Sequence, residues 1–211
     1  MSTRDETTSH TALDEALAAA PPAATLQRLH TDLADRAQAE GVLDVAYDTV
    51  QTPIGGLLLA ATPGGLVRVA FESEGYAAVL ADLAGRLSPR ILHAPARLAG
   101  AAEQVAEYFE GRRRQFSVDI DLSLTRGFRR EVLKELQAVP FGDRVTYTAL
   151  AARSGRDRAV RAAASACATN PVPLVVPCHR VVRADGSLGG YRGGLPAKER
   201  LLALEADPAP R

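Results

Sequence analysis

The sequence predicts an α+β protein: a small N-terminal antiparallel sheet with helices, then a mainly helical half containing a helix-turn-helix. Three observations lead there. Short apolar runs of strand character separated by glycine and proline turns crowd residues 42–71, the pattern of a strand meander. From Thr125 onward these strand-like runs give way to helical spacing. The charge changes sign at the same place. Residues 1–124 carry 10 Lys and Arg against 17 Asp and Glu, and residues 125–211 carry 15 against 8, so the net charge of zero conceals balances of −7 and +7. A basic half points to a polyanionic partner, since neutralised phosphates supply most non-specific nucleic-acid affinity.

Length and composition bound the remaining choices. The chain has 211 residues, 46% hydrophobic and 24% charged, enough for one large or two small domains with a real core. No apolar run reaches bilayer length, and the N-terminus is polar and acidic, unlike a signal peptide. Only two cysteines are present, too few for a disulfide framework, so a reducing cytoplasm is the expected location and no membrane partner is expected. Once Cys178 is set aside for chemistry, no Cys/His set stands at zinc-ligand spacing. No metal and no cofactor are expected.

In chain order, residues 1–43 form an N-terminal extension. It is polar and disordered over 1–11, with a short alanine-rich helix over 11–20 and an amphipathic helix over 23–40 carrying Leu26, Leu29, Leu33 and Ala37 on its apolar stripe. Residues 44–124 form the α+β domain. It has strands over 42–52, 54–61 and 66–71, helices over 76–87 and 95–109, and a last alternating strand over 116–122. Arg112, Arg113 and Arg114 follow the second helix and read as a solvated cluster. Residues 125–211 form the third unit. A helix over 128–139 stops at Pro140, a helix from Thr148 breaks at Gly155, and a second begins at Arg158 with Asp157 as its cap. The second helix carries Arg158 and Arg161 among alanines, which suits close approach to a nucleic-acid groove.

The densest chemistry lies in residues 170–205. An apolar, β-branched extended run, Leu174-Val175-Val176, leads to Pro177-Cys178-His179-Arg180. Proline fixes φ and has no N–H to donate, so Pro177 ends the run and presents Cys178 at a turn. Neutral imidazole is the side chain suited to take a thiol proton near neutral pH. Asn170-Pro171 precedes the cysteine. Gly189-Gly190-Tyr191-Arg192-Gly193-Gly194, Lys198 and Glu205 follow it. The glycines lack the strand-turn-helix context of a dinucleotide site and read as a tight loop whose backbone donors reach a ligand.

Residues 170–205 closely resemble the active-site segment of the O6-alkylguanine-DNA alkyltransferases (methylated-DNA–protein-cysteine S-methyltransferases), and a weaker likeness runs back to Asp44. The resemblance implies a DNA repair protein that flips O6-alkylguanine from duplex DNA and moves the alkyl group to Cys178, once, with no obligate protein partner. It implies His179 as the base acting through a water, Glu205 as the carboxylate that orients it, and Tyr147 as a hydroxyl donor to guanine N3. It places Arg161 as the arginine finger that fills the gap left by the flipped base, and Asn170 as the hinge to the active-site turn. It also implies that the backbone of Val181 and of the Tyr191-Arg192 loop touches the base. Departures from the family pattern are Arg192 in place of a small residue, Ala163-Ala164 where glycine is frequent, and Arg129 without any tryptophan in the helix over 128–139. Two other classes share parts of the pattern. A Cys-His-Glu hydrolase leaves Arg161 and the basic half without a role, and a helix-turn-helix damage sensor has no need of Cys178.

Overall fold

The strand-like runs over residues 42–71 close into a meander in the computed structural model, which describes residues 21–206. The polar start and the helix expected over 11–20 lie outside the described residues. Helix α1 (Ala23–Ala39) precedes strands β1 (Val45–Thr52), β2 (Gly55–Thr62) and β3 (Gly65–Phe71), which pair antiparallel. Helix α2 (Tyr76–Arg86) follows, then a short strand β4 (Ile91–His93) that adds parallel to β1, giving the order β3-β2-β1-β4. Three residues are too few to display a period, so β4 has no sequence signature. Helix α3 (Pro95–Phe109) starts on its proline, where the missing N–H costs nothing.

Strand β2 is central and covered on both faces, which explains its uniformly apolar run. Leu58 and Ala60 pack with Val79 and Leu83 of α2. Leu57 and Leu59 face the other way, toward Leu98, Val105 and Tyr108 of α3. This second cluster continues without a break into the helical half. There α4 (Phe128–Gln137) contributes Val132, Leu133 and Leu136, α5 (Tyr147–Arg153) Leu150, α6 (Val160–Ala168) Ala163 and Ala166, and α7 (Leu195–Ala206) Leu201. A two-residue parallel pair, β5 (Val145–Thr146) with β6 (Val181–Val182), joins the start of α5 to the chain just after Cys178. Thr146 caps α5 by accepting from the Ala149 N–H.

Four local expectations are corrected. Residues 116–122 keep the inward alternation but form a single bridge, Leu66 with Ile120; the next β3 donor along that edge, Val69 N–H, is already bonded to the Pro171 carbonyl at 2.8 Å. The three leucines of the α1 stripe expected to be buried are exposed, with Leu26 at 40%, Leu29 at 56% and Leu33 at 52%. Of that stripe Ala37 alone is buried, and the helix seats it together with Ala34. Small residues let it lie close to Leu43, Ala46 and Ala94. Helix α6 begins at Val160 after Ala159, with no side-chain cap, so Asp157 does not cap it and Arg158 precedes it. Finally, the run before Cys178 is a buried turn and not an extended strand. Val176 N–H returns to the Val172 carbonyl at 2.9 Å, and Leu174 takes a left-handed φ of 76°, a conformation strained for a side-chain-bearing residue and held by its surroundings.

Candidate active site

What holds that strained turn is Asn170. Its Oδ1 accepts from Val172 N–H at 3.0 Å, and its Nδ2 donates to the Val176 carbonyl at 2.8 Å and toward Cys178 Sγ at 3.2 Å. One buried amide therefore ties the end of α6 to the turn and to the thiol. Every residue from 170 to 182 is buried. Cys178 opens a single 3₁₀ turn, Cys178–Arg180. Burial pushes its thiol pKa up, opposed by the Asn170 bond and the nearby Lys198 charge, so the resting group is a protonated thiol.

The next residue, His179, is fully buried. Its Nε2 lies 2.9 Å from Glu205 Oε1, and its Nδ1 has no protein partner. Burial lowers the imidazole pKa, with the Glu205 bond working the other way. Burial alone raises the Glu205 carboxyl, but bonds from His179, Arg180 and Tyr108 outweigh it and hold it at about 2. An ionised carboxylate only accepts, so the ring proton sits on Nε2 and the Nδ1 lone pair is free to take a proton.

Glu205 anchors more than the histidine. Arg180 donates to it in a bidentate fork, Nε to Oε2 at 2.9 Å and Nη2 to Oε1 at 2.8 Å, while its Nη1 reaches the Val139 carbonyl at 2.5 Å. The Tyr108 hydroxyl, from α3 in the sheet half, donates to Oε1 at 2.7 Å. Sequence reasoning gave neither residue a role. Arg180 stands inside the motif and its charge was a usable signal; Tyr108 had none. A third residue without an assigned role is Lys198, fully buried, whose Nζ donates to the carbonyls of Val181 at 2.6 Å and Gly189 at 3.2 Å. It joins β6 to the glycine loop.

Of the remaining site residues, Tyr147, Tyr191 and Val181 lie near this centre and Arg161 does not. The half-buried Tyr147 starts α5, and its ring fills the space where a Cβ on Gly189 would stand, with Cε2 only 2.8 Å from that point; only glycine fits there. Burial raises the Tyr147 pKa, so it stays a hydroxyl donor. The Tyr191 ring meets Phe71 of β3 edge-on at 5.5 Å and His179 at 6.3 Å. Val181 offers a carbonyl already accepting from Lys198, with a second lone pair remaining. Arg161 is exposed on α6, away from the buried cluster, on the same helix as exposed Ala162 and Ser165. Ala163 faces the core and Ala164 is half-buried, so the Ala163 methyl is no obstacle on the outer face. Arg112 and Arg113 pair with Glu107 and Glu110 of their own region. Cys167 is buried on α6, its thiol pKa pushed well up by burial. Among the described residues no group of three or more His, Cys, Asp or Glu stands together to hold a metal ion, and no helix is long and apolar enough to cross a membrane.

Residues 45–122 match the family description "6-O-methylguanine DNA methyltransferase, ribonuclease-like domain", and residues 127–207 match "6-O-methylguanine DNA methyltransferase, DNA binding domain". A methylated-DNA–protein-cysteine methyltransferase of Mycolicibacterium paratuberculosis is 37% identical over 166 residues, covering 79% of this chain and 95% of the relative. The crystal structure of Mycobacterium tuberculosis O6-methylguanine methyltransferase superposes with a TM-score of 0.69 at 34% identity, over 79% of this chain and 96% of that one. The Mycobacterium tuberculosis OGT in complex with DNA gives 0.67 at 34% identity, over 76% and 92%.

Proposed function

This chain belongs to the 6-O-methylguanine DNA methyltransferase family, the methylated-DNA–protein-cysteine methyltransferases, and on that premise we propose that it extrudes an O6-alkylated guanine from duplex DNA and takes the alkyl group irreversibly onto its own Cys178. One observation carries this reading. A neutral imidazole, its Nε2 committed to ionised Glu205 and its Nδ1 lone pair unpartnered, follows directly on a buried thiol steered by Asn170.

The reaction runs as follows. Cys178 gives its proton to His179 Nδ1 through a bridging water, and Glu205 stabilises the imidazolium formed beside thiolate. Sulfur attacks the alkyl carbon; the S–C bond forms as the C–O6 bond breaks, and its electron pair passes to guanine. Tyr147 donates to N3, easing departure of the base, which takes up the proton and leaves as guanine. The product thioether has no leaving group that would return the thiol, so each molecule acts once.

DNA handling falls to residues 125–211, with residues 44–124 buttressing them and residues 1–43 preceding. A base stacked in a duplex is out of reach of any buried thiol, so it is flipped out and Arg161 fills the gap. Helix α6, small-residued and exposed around Arg161, approaches the groove. Val181 and the Tyr191-Arg192 loop hold the base by their backbones. The reaction needs no cofactor, no membrane and no protein partner, and a reducing cytoplasm keeps Cys178 as a thiol.

Intact-mass measurement after mixing with duplex DNA carrying O6-methylguanine tests the reading. One added methyl, mapped to Cys178, is expected, with no further product when DNA is in excess. Multiple turnover, or a methyl on Cys167, overturns it.

A further inference from the structure

Arg192 stands where the family carries a small residue, and the fold gives it two partners from different parts of the molecule. Its Nη1 donates to Glu74 Oε2 at 2.9 Å, and its Nε donates to the Ala168 carbonyl at 3.3 Å. Glu74 lies in the short 3₁₀ turn after β3, and Ala168 is the last residue of α6. Glu74 is itself fixed, with Oε1 accepting the Phe71 N–H at 2.9 Å and Oε2 also accepting from Arg68. The side chains of Arg68, Glu74 and Arg192 are 12%, 16% and 27% exposed, sheltered enough for the pair to hold its geometry. Alongside, Phe71 packs on Tyr191 and occupies the space beside Gly193, its ring 2.5 Å from where a Cβ would stand. The sheet half thus grips the loop 191–193 by one ion pair and one aromatic ring.

We propose that Glu74 and Arg192 form a strap that pins this loop against the sheet and so limits the size of the O6 substituent accepted beside Cys178. The inference rests on the reading of the loop as a wall of the guanine pocket. A larger substituent needs the loop to move outward, and the strap resists that movement. Glu74 touches neither the thiol nor its activating groups. It is a positioning residue that acts through Arg192.

The experiment measures single-turnover transfer from two duplexes of identical sequence, one carrying O6-methylguanine and one O6-benzylguanine. Using the same DNA cancels any change in duplex affinity. Glu74→Gln keeps the shape and the acceptor for Phe71 N–H but removes the charge. It is expected to keep methyl transfer to Cys178 while raising the benzyl-to-methyl rate ratio about three- to fivefold, the range a partly sheltered ion pair carries. Arg192→Ser should raise the same ratio, and the double variant should match the larger single change instead of their product, because both cut one connection. An unchanged ratio in Glu74→Gln, or multiplicative effects in the double variant, overturns the strap. Failure of the wild-type protein to methylate Cys178 would instead overturn the proposed function, so the two failures are distinguishable.

Discussion

Two carboxylates hold arginines of the cysteine-bearing half, Glu205 on Arg180 and Glu74 on Arg192, and they are built for different tasks. Glu205 is buried with Arg180, their side chains 1% and 8% exposed, and it spends every lone pair on His179, Arg180, Tyr108 and the Gly142 N–H. Glu74 sits at the rim, shared by Arg68 and Arg192 within reach of water. The chemistry of the pairs is the same, but the access of solvent differs. In the core, losing one partner strands a charge in a poorly polarisable medium, so the cluster is rigid and sets the histidine tautomer. At the rim, water takes over a lost partner, so the pair positions a loop without governing the fold.

The largest effect that sharpens this contrast belongs to the core. Glu205→Gln leaves the Arg180 guanidinium buried without a counter-charge and is expected to lower unfolding free energy by about 3–5 kcal/mol, read from urea titrations. Glu205→Gln with Arg180→Met should recover much of that stability. Its methyl-transfer rate at pH 7 should nevertheless stay down by roughly a hundredfold, since the charge that favours imidazolium is still missing. The deficit should narrow as pH rises toward 9, because the fraction of Cys178 thiolate formed without help from the imidazole grows with each unit of pH. A well-folded double variant with wild-type rate and pH profile would leave Glu205 a structural residue only.

Acid provides the next test. The Glu205 carboxyl sits at about 2 in the folded protein against an ordinary 4.5. A carboxyl depressed on folding contributes stability that is full above its ordinary value and is lost as pH falls toward the folded one. About 3 kcal/mol should therefore disappear between about pH 5 and pH 2, with a steeper fall in the wild type than in the Glu205→Gln/Arg180→Met protein. Equal slopes would mean that the cluster does not carry the acid sensitivity.

Smaller effects come from outside the core. Arg161→Ala, on the exposed face of α6, is expected to slow repair of duplex DNA by roughly tenfold and to leave reaction with free O6-benzylguanine nearly unchanged, because only the duplex requires extrusion. Equal losses on both substrates would place Arg161 in the chemistry or the fold. Smallest is the rim, where the change in benzyl-to-methyl ratio in Glu74→Gln should stay at about three- to fivefold. A collapse in stability there would break the distinction between the two carboxylates.

The sequence by itself determined what repeats locally or is written in a short motif. Short apolar runs between glycine and proline turns marked β1, β2 and β3, and helical spacing with a proline start marked α3 over Pro95–Phe109. The motif around Cys178 and its resemblance singled out His179 and Glu205, which the fold brings to 2.9 Å. Tertiary structure alone decided the rest. Tyr108 meets Glu205 across 97 residues and Arg192 meets Glu74 across 118, and no local period encodes such a meeting. It also overrode local preference. Residues 174–176 have the composition of a strand yet form a turn, because Asn170 satisfies the backbone groups that a strand neighbour would otherwise take. The leucines of α1 read as a buried stripe, yet the helix seats its alanines, because the surface beneath it accepts only a close approach. Periodicity reports which surface a segment is able to bury; what it meets in the folded chain decides which surface it does bury.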